Sequence, residues 1–431
     1  CYDLRFPVWS RNRGDYDMII YVASWPTPRV NAWSALLRAR AIENQCYVAG
    51  VNRVGTDPSC EYCGGTALID PYGNTMAECK RNMEDNISGE IELSMLEQFR
   101  KTFPVQNDAD PFELKHNKMR KTLLLGDEAI ALGALHAGIK GVYAYPGTPS
   151  TEITEYIQKS PLSAERKIHC TWCTNEKTAM EAALGMSYAG MRSIVCMKHV
   201  GLNVAADAFV NSAITGVNGG LIVIVADDPS MHSSQNEQDS RFYGKFALIP
   251  ILEPSSQQEA YEMIQKAFEI SEEEKLPILL RITTRMAHSR AVVSVKDEAA
   301  PQNSLPCSND PASWVLLPAN ARRSYEKLTS KQNHLKDLSL QSPFNHLYIQ
   351  TNGKSDTGII ACGIGYNYVK EYDNNESSIL KISQYPIPET MVCQLADNCK
   401  KILVVEDGQP FVEEQIKGLL GKDFEIKGRL T

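Results

Sequence analysis

The chain has 431 residues, of which 43% are hydrophobic, 22% charged and 8% aromatic; this is ordinary globular usage and excludes collagen-like, mucin-like and wholly disordered classes. At about 150 residues per domain, the length predicts about three domains. A net charge of -8, from 44 basic and 52 acidic side chains, offers no basic stripe to a phosphate backbone, so no nucleic-acid partner is expected. The run from Gly220 to Ala226 (GLIVIVA) is far short of the ~20 residues of a membrane-spanning helix, so no membrane span is expected either.

Twelve scattered cysteines read as reduced thiols in a cytoplasm rather than as a disulfide scaffold. The Cys-x-x-Cys pairs Cys60/Cys63 and Cys170/Cys173 lie too far apart in the chain to favour one tetrahedral zinc site, and no metal ligand is assigned. The chain opens at Cys1 without a methionine or a signal pattern, and is read as cut or processed there.

Residues 1–114 alternate short β-rich runs (Met18–Ala23, Cys46–Asn52, Thr66–Asp70) with Gly/Pro/Asn punctuation and one long helical pattern, Asn31–Asn44. A polar, charged stretch from Pro104 to Lys118 reads as a linker. Residues 119–295 then change rhythm, with helices over 127–138, 151–158, 175–189, 202–215 and 256–272 and strands over 141–145, 192–197, 220–226 and 277–282. That alternation predicts a doubly wound, parallel α/β sheet. Residues 296–343, rich in Pro, Ser, Asn and Lys, are expected to be a surface connector with one basic helical stretch near 320–332. Residues 344–431 predict a smaller α/β unit with strands over 346–350, 358–362, 378–382 and 401–406.

In the first segment, Cys1-Tyr-Asp-Leu-Arg-Phe-Pro7, Ala23-Ser-Trp-Pro26, Arg38-Ala-Arg-Ala-Ile-Glu-Asn44 and Gly50-Val-Asn-Arg-Val-Gly55 resemble the carbon-nitrogen hydrolase (nitrilase) superfamily, and within it the omega-amidases. The resemblance implies the back half of an αββα sandwich. It also makes Cys1 the nucleophile and the Tyr2 backbone N–H an oxyanion donor. The glutamate and lysine that activate such a thiol precede it in the family, so amidase activity of these 431 residues alone is not expected. A half-sandwich is also expected to leave one core face without a partner.

In the middle segment, Tyr145-Pro-Gly-Thr-Pro-Ser-Thr-Glu152 stands where a strand gives way to a helix, the usual ligand-binding edge of an open parallel sheet. With Thr174-Asn-Glu-Lys-Thr178, Met197-Lys-His-Val-Gly-Leu-Asn203, Thr215-Gly-Val-Asn-Gly-Gly220 and the run from Ala226 to Arg241, it resembles the alpha subunit of indolepyruvate:ferredoxin oxidoreductases. That family decarboxylates aryl 2-oxo acids oxidatively on thiamine diphosphate to give an acyl-CoA, and its first domain binds the pyrimidine. The resemblance implies that Glu176 is the carboxylate that hydrogen-bonds the aminopyrimidine. Pro146 and Thr148 would face the pyrimidine and the substrate carboxylate, with Lys198, His199 and Asn203 on the loop beyond the next strand. On spacing alone, Glu176 is an acid in a first helical turn. His232–Arg241 is open between a substrate-covering loop and plain surface.

Gly358–Tyr366, Tyr385–Glu389 and Val404–Glu414 resemble a transketolase carboxy-terminal type domain, read as structural; Glu406, Glu413 and Glu414 are taken as surface acids. The Gly-Asp-Gly motif that holds Mg²⁺ and the clustered cysteines of a [4Fe-4S] cluster do not occur in these residues and are expected beyond Thr431. The resulting expectation is a fusion: half of an omega-amidase joined to two domains of a 2-oxo acid oxidoreductase subunit, with Met119 as an old start codon. A beta subunit, ferredoxin, coenzyme A and an oligomeric assembly follow from the resemblance. The alternatives are an amidase acting through Cys1 on a small amide, and an inactive fusion fragment.

Overall fold

The computed structural model describes residues 3–109, 119–307, 311–350, 355–373, 377–420 and 425–427, in two compact units, residues 1–115 and 116–431. Cys1 and Tyr2 lie outside the described residues. No helix among the described residues is long and apolar enough to cross a membrane.

The first unit contains β1 (Met18–Ala23), α1 (Val30–Asn44), β2 (Tyr47–Asn52), β3 (Val54–Thr56), β4 (Glu61–Cys63), β5 (Ala67–Ile69), β6 (Thr75–Glu78) and α2 (Leu93–Thr102). Its main sheet runs β1-β2-β5-β6, with β1 and β2 parallel and the rest antiparallel. Trp33, Leu37 and Ala41 recur every fourth residue along one stripe of α1, and that stripe is buried with Tyr21, Ala23, Val48, Ala67 and Ile69 of the sheet. The approach is so close that a Cβ on Gly50 of β2 would stand 2.3 Å from a Leu37 methyl. The other sheet face is bare: Ile20 and Val22 of β1 and Val51 of β2 are 62%, 72% and 42% exposed. Since Val22 pairs with Val51, they form a continuous apolar strip of the kind a second sheet covers in a sandwich.

The second unit begins with β7 (Met119–Leu125), α3 (Gly126–His136), β8 (Gly141–Ala144), α4 (Thr151–Lys159), α5 (Pro161–Glu165), β9 (His169–Trp172), α6 (Glu176–Tyr188), β10 (Ser193–Lys198) and α7 (His199–Thr215). It continues through β11 (Leu221–Asp227), α8 (Ser240–Ala247), β12 (Ile251–Leu252), α9 (Gln257–Glu274), β13 (Ile278–Thr283), α10 (Thr284–His288) and β14 (Arg290–Lys296). The remainder is α11 (Pro318–Ser330), α12 (Gln332–Leu340), β15 (His346–Tyr348), β16 (Ser355–Cys362), α13 (Gly365–Tyr372), β17 (Ser378–Ile382), β18 (Gln384–Tyr385), α14 (Glu389–Asp397), β19 (Cys399–Val405), α15 (Phe411–Leu420) and β20 (Glu425–Lys427).

A seven-stranded sheet of order β18-β12-β13-β11-β10-β8-β9 forms the centre. Its strands are parallel except β18, which pairs antiparallel with β12. Alternate residues serve opposite layers, as the pleat requires. Val195, Met197, Val223 and Val225 pack with α6 and α7, whereas Ile194, Cys196, Ile222 and Ile224 pack with α3, α4 and α9. The sheet is therefore doubly wound. A second sheet, β15-β17-β16-β19-β20, follows.

Several details differ from the sequence reading. Strands β7 and β14 pair antiparallel from Met119↔Lys296 to Leu125↔Arg290, closing the ends of the segment on each other; neither was expected, because their apolar residues serve one face of a two-stranded ribbon. The expected connector contains two helices, α11 and α12, and their Leu328 and Leu335 are buried in the same core as Phe209 and Leu380. Glu406 and Glu413 are not surface acids: their side chains are 2% and 0% exposed, and only Glu414 is exposed.

Glu406 belongs to a buried ionic network. Arg281 of β13 is 2.6 Å from Asp227, ion-pairs with Glu253 and donates to the Asp407 carbonyl at 2.7 Å. Arg241 of α8 lies 2.5 Å from Asp239 and 3.0 Å from Glu406, and the Tyr385 hydroxyl donates to Glu253 at 2.8 Å. Four carboxylates share two guanidinium groups, so charge is unequal. Burial holds Asp227 and Glu406 above the usual carboxylate range despite their arginines. Asp239, also buried but facing both arginines, is drawn down to about 2.

Two substitutions test this architecture. Arg281→Ala strands buried acids and is expected to cost about 3–5 kcal/mol, read as a fall in the denaturant midpoint of the second unit; a loss below about 1 kcal/mol would contradict the role given to the network. In the first unit, Leu37→Ala is expected to cost about 2–5 kcal/mol, whereas Val22→Thr changes stability by no more than about 0.5 kcal/mol, both read by thermal unfolding.

Candidate functional site

Strand order locates the site. From β8 the chain passes through α4 to β9 on one side; from β10 it passes through α7 to β11 on the other. The crevice between β8 and β10, at the carboxyl ends of the strands, is the topological switch point where open parallel sheets bind ligands. The 145–150 turn leaves β8 there, and Lys198 ends β10 beside it.

Pro146 and Thr148 are exposed in this turn, which is held by the Thr151 hydroxyl accepting from Gly147 N–H at 2.9 Å and by the Ser150 hydroxyl donating to the Gly147 carbonyl at 2.8 Å; the Thr148–Pro149 peptide is cis. A Cβ on Gly147 would lie 3.1 Å from Lys198 Cδ, so the lysine stem covers the turn. Its ammonium donates to the Ser233 carbonyl at 3.3 Å.

Glu176 is the first residue of α6. Asn175 caps that helix by accepting from Thr178 N–H at 2.9 Å. The Glu176 side chain is half-buried and leans on the first turn of α7, where a Cβ on Gly201 would be 2.6 Å from Glu176 Oε1. Only a glycine there lets the carboxylate occupy this position.

His199 and Asn203 are not loop residues as expected, because α7 starts at His199 rather than 202. His199 is buried, with Nε2 3.1 Å from the Asn236 carbonyl and Nδ1 without a hydrogen-bond partner among the described residues. Asn203, one turn on, is exposed and accepts from the Tyr243 hydroxyl of α8. The structure thus gathers Lys198 with the 145–150 turn, and Glu176 with α7. Asn203 faces α8, and Cys1 and Tyr2 lie outside the described residues.

Sequence reasoning missed what fastens the 228–236 loop to this edge. Asp228, buried at the end of β11, accepts from Ser233 N–H at 2.7 Å, Ser234 Oγ at 2.8 Å, His232 N–H at 3.2 Å and Thr284 Oγ1 at 2.7 Å. Burial would raise its pKa, but these donors outweigh it and hold the carboxyl at about 2. The Asp-Pro-Ser run after an apolar strand was the available signal, since aspartate in a turn accepts from backbone N–H groups nearby.

Comparison with known proteins assigns the segments. Residues 1–101 match the carbon-nitrogen hydrolase family, and residues 132–318 match the family described as pyruvate flavodoxin/ferredoxin oxidoreductase, thiamine diP-binding. The indolepyruvate oxidoreductase subunit IorA of Thermococcus kodakarensis is 42% identical over 307 residues, covering 69% of this chain and 47% of that protein. Omega-amidase YafV of Escherichia coli K12 is 52% identical over 115 residues, covering 26% of this chain and 45% of that protein. The chain spans about half the length of the curated relatives it matches. A 2-oxoglutarate:ferredoxin oxidoreductase from Magnetococcus marinus shares the fold, with a TM-score of 0.59 at 17% identity over 79% of this chain and 68% of that one.

Because Asp228 has a lowered pKa, its contribution to stability is full above the unfolded-state value of about 4 and is lost as pH falls through about 2. The Tm difference between wild type and Asp228→Asn is therefore expected to be constant above pH about 5 and to shrink steadily below pH about 4; a difference independent of pH would show that the carboxylate charge does not hold the loop. Taken with the fold, the comparisons show that the chain joins a segment similar to carbon-nitrogen hydrolases to a segment similar to the thiamine-diphosphate-binding domain of pyruvate flavodoxin/ferredoxin oxidoreductases.

Proposed function

We propose that residues 119–431 supply the pyrimidine-binding side of a thiamine-diphosphate-dependent oxidoreductase that converts indolepyruvate or another aryl pyruvate to an acyl-CoA. It works as one component of an assembly with a beta subunit and ferredoxin. The observation that carries this reading is Glu176, capped at the head of α6 and set against the bare Gly201 of α7. The likeness to indolepyruvate oxidoreductase subunits supports the substrate class.

The residues fit the cofactor's pyrimidine: a half-buried carboxylate sits where glycine leaves room, at the ligand-binding edge of the sheet. When bound, thiamine diphosphate supplies a carbon nucleophile for the 2-oxo carbonyl and an electron sink after loss of CO₂. Glu176 would hold the pyrimidine by its ring nitrogen and would serve there as proton acceptor and donor. Thr148, exposed in the turn, offers its hydroxyl to the substrate carboxylate, and Pro146 gives the pyrimidine an apolar contact. Lys198 brings a positive charge to the same turn and attracts the anionic 2-oxo acid. His199 acts through the Asn236 carbonyl by holding the 228–236 loop, and Asn203, bonded to Tyr243 of α8, ties α7 to α8. Mg²⁺ and [4Fe-4S] clusters belong to parts of the assembly other than these residues.

Glu176→Gln keeps the shape and removes the base. In the assembled enzyme, indolepyruvate-dependent ferredoxin reduction is expected to fall about 10²–10⁴-fold; an unchanged rate would overturn the assignment. Gly201→Ala displaces the Glu176 carboxylate and is expected to weaken thiamine diphosphate binding at least tenfold in calorimetry, while α7 melts within a few degrees of wild type.

The 52% identity of the first 115 residues to an omega-amidase favours a second reading, in which Cys1 attacks a small amide with Tyr2 N–H stabilising the oxyanion. Intact mass of a full-length version carrying the upstream glutamate and lysine, after incubation with 2-oxoglutaramate, tests it: an acyl adduct at Cys1 supports this reading and an unchanged mass counts against it. Failure of both assays would leave an inactive fusion fragment.

A further inference from the structure

On the opposite face of the sheet from Glu176, three segments bring ligand-type side chains together. Asp127 lies in the first turn of α3, Glu152 in the first turn of α4 and His288 at the end of α10, and one donor atom of each lies within 4.8 Å of the other two. Asp127 is fully buried, yet neither of its carboxylate oxygens has a hydrogen-bond partner among the described residues, and Glu152 Oε2 is buried and equally unpartnered. Glu152 Oε1 faces His288 Nε2 at 3.6 Å.

An unpartnered buried carboxylate is costly, and the surroundings do not relieve it. The charged groups acting on Asp127 are Glu152 and Glu128, both acidic. Glu128 is already engaged, accepting from Leu125 N–H at 2.8 Å. What such a pocket lacks is a cation. Two carboxylates and an imidazole suit a borderline or hard divalent ion, whose ligand atoms stand about 3.4 Å apart in a tetrahedral shell. The observed spacing needs only small rotations of Glu152 and His288, whose side chains are 39% and 38% exposed. That exposure also gives the ion a way in and leaves coordination positions for water.

We propose that Asp127, Glu152 and His288 form a binding site for a divalent transition-metal ion, Mn²⁺ or Zn²⁺, that pins the starts of α3 and α4 to the end of α10. Glu152 stands four residues after Thr148, so the ion also stiffens the turn that carries Thr148. The site is independent of the reading of Glu176 and involves none of its residues.

The test uses the 431-residue chain, stripped of metal and free of thiamine diphosphate, titrated with Mn²⁺ and followed by electron paramagnetic resonance. Mn²⁺ is chosen because the cysteines elsewhere in the chain bind it poorly. One tightly bound Mn²⁺ per chain, displaced by Zn²⁺ and accompanied by a rise in Tm, is expected. Asp127→Asn, which is isosteric, and His288→Ala, at an exposed position that does not endanger folding, should each weaken binding at least tenfold and abolish the Tm rise. Absence of Mn²⁺ binding, or binding unchanged in both variants, overturns the proposal. Higher stability of Asp127→Asn without any Mn²⁺ bound to wild type would also overturn it, since Asp127 would then be a neutral acid sharing a proton with Glu152.

Discussion

Two arginines and four acids, out of reach of water, hold the second unit together. Arg241 and Arg281 are fully buried, and such charges are tolerated only when paired and hydrogen-bonded on several sides. Their partners come from the end of β11, the start of α8, the residue after β12, and the segment that follows β19. Every piece of chain that supplies a partner is thereby held in place, including Asp407 and Gln409, whose carbonyls accept from Arg281 and Arg241. This explains why β18, distant in sequence, adds to the central sheet beside β12: Tyr385 at its end reaches Glu253 of the same network.

The network also sets where chemistry can occur. By fixing the end of β11 and the start of α8, it anchors both ends of the 228–238 loop. Asp228 then folds that loop back with three hydrogen bonds from it and is itself held by the Thr284 hydroxyl of α10. Lys198 and His199 each bond to a carbonyl of this loop, so the switch point between β8 and β10 receives side chains already oriented by backbone. The edge of the sheet is a prepared surface rather than a set of free loop tips, as the function proposed for it requires.

Much of this was legible in the residues. The helices and strands expected between 127 and 282 lie within one or two residues of their observed bounds, apart from the start of α7, because long apolar runs and clear caps such as Asn175 leave little freedom, whereas the short helices α5 and α8 were not expected. The position of Glu176 at a helix start was equally readable. Short or edge elements were not: β9, β12, β14 and β18 have two to seven residues, too few for a periodic signal to emerge. Residues 296–343 misled by composition, since the few apolar residues of α11 and α12, among them Leu328, Leu335 and Leu338, stand among mostly polar neighbours. His199 was placed on a loop because the helical pattern was read as starting at 202; its burial against the 228–236 loop is a tertiary effect.

The sequence by itself determined the two family likenesses, the doubly wound order of the middle segment and the carboxylate at the head of α6, because motif residues and hydrophobic period act locally along the chain. Only the tertiary structure decided which acids are buried and which cations answer them. Glu406, an apparent surface acid, pairs with Arg241; Asp127, an ordinary first-turn aspartate, is buried opposite Glu152 and His288 with no donor to meet it among the described residues. Charge burial depends on residues brought together from distant parts of the chain, and the free energy of an ion depends on all of its neighbours at once, so no reading of spacing along one dimension could have assigned either.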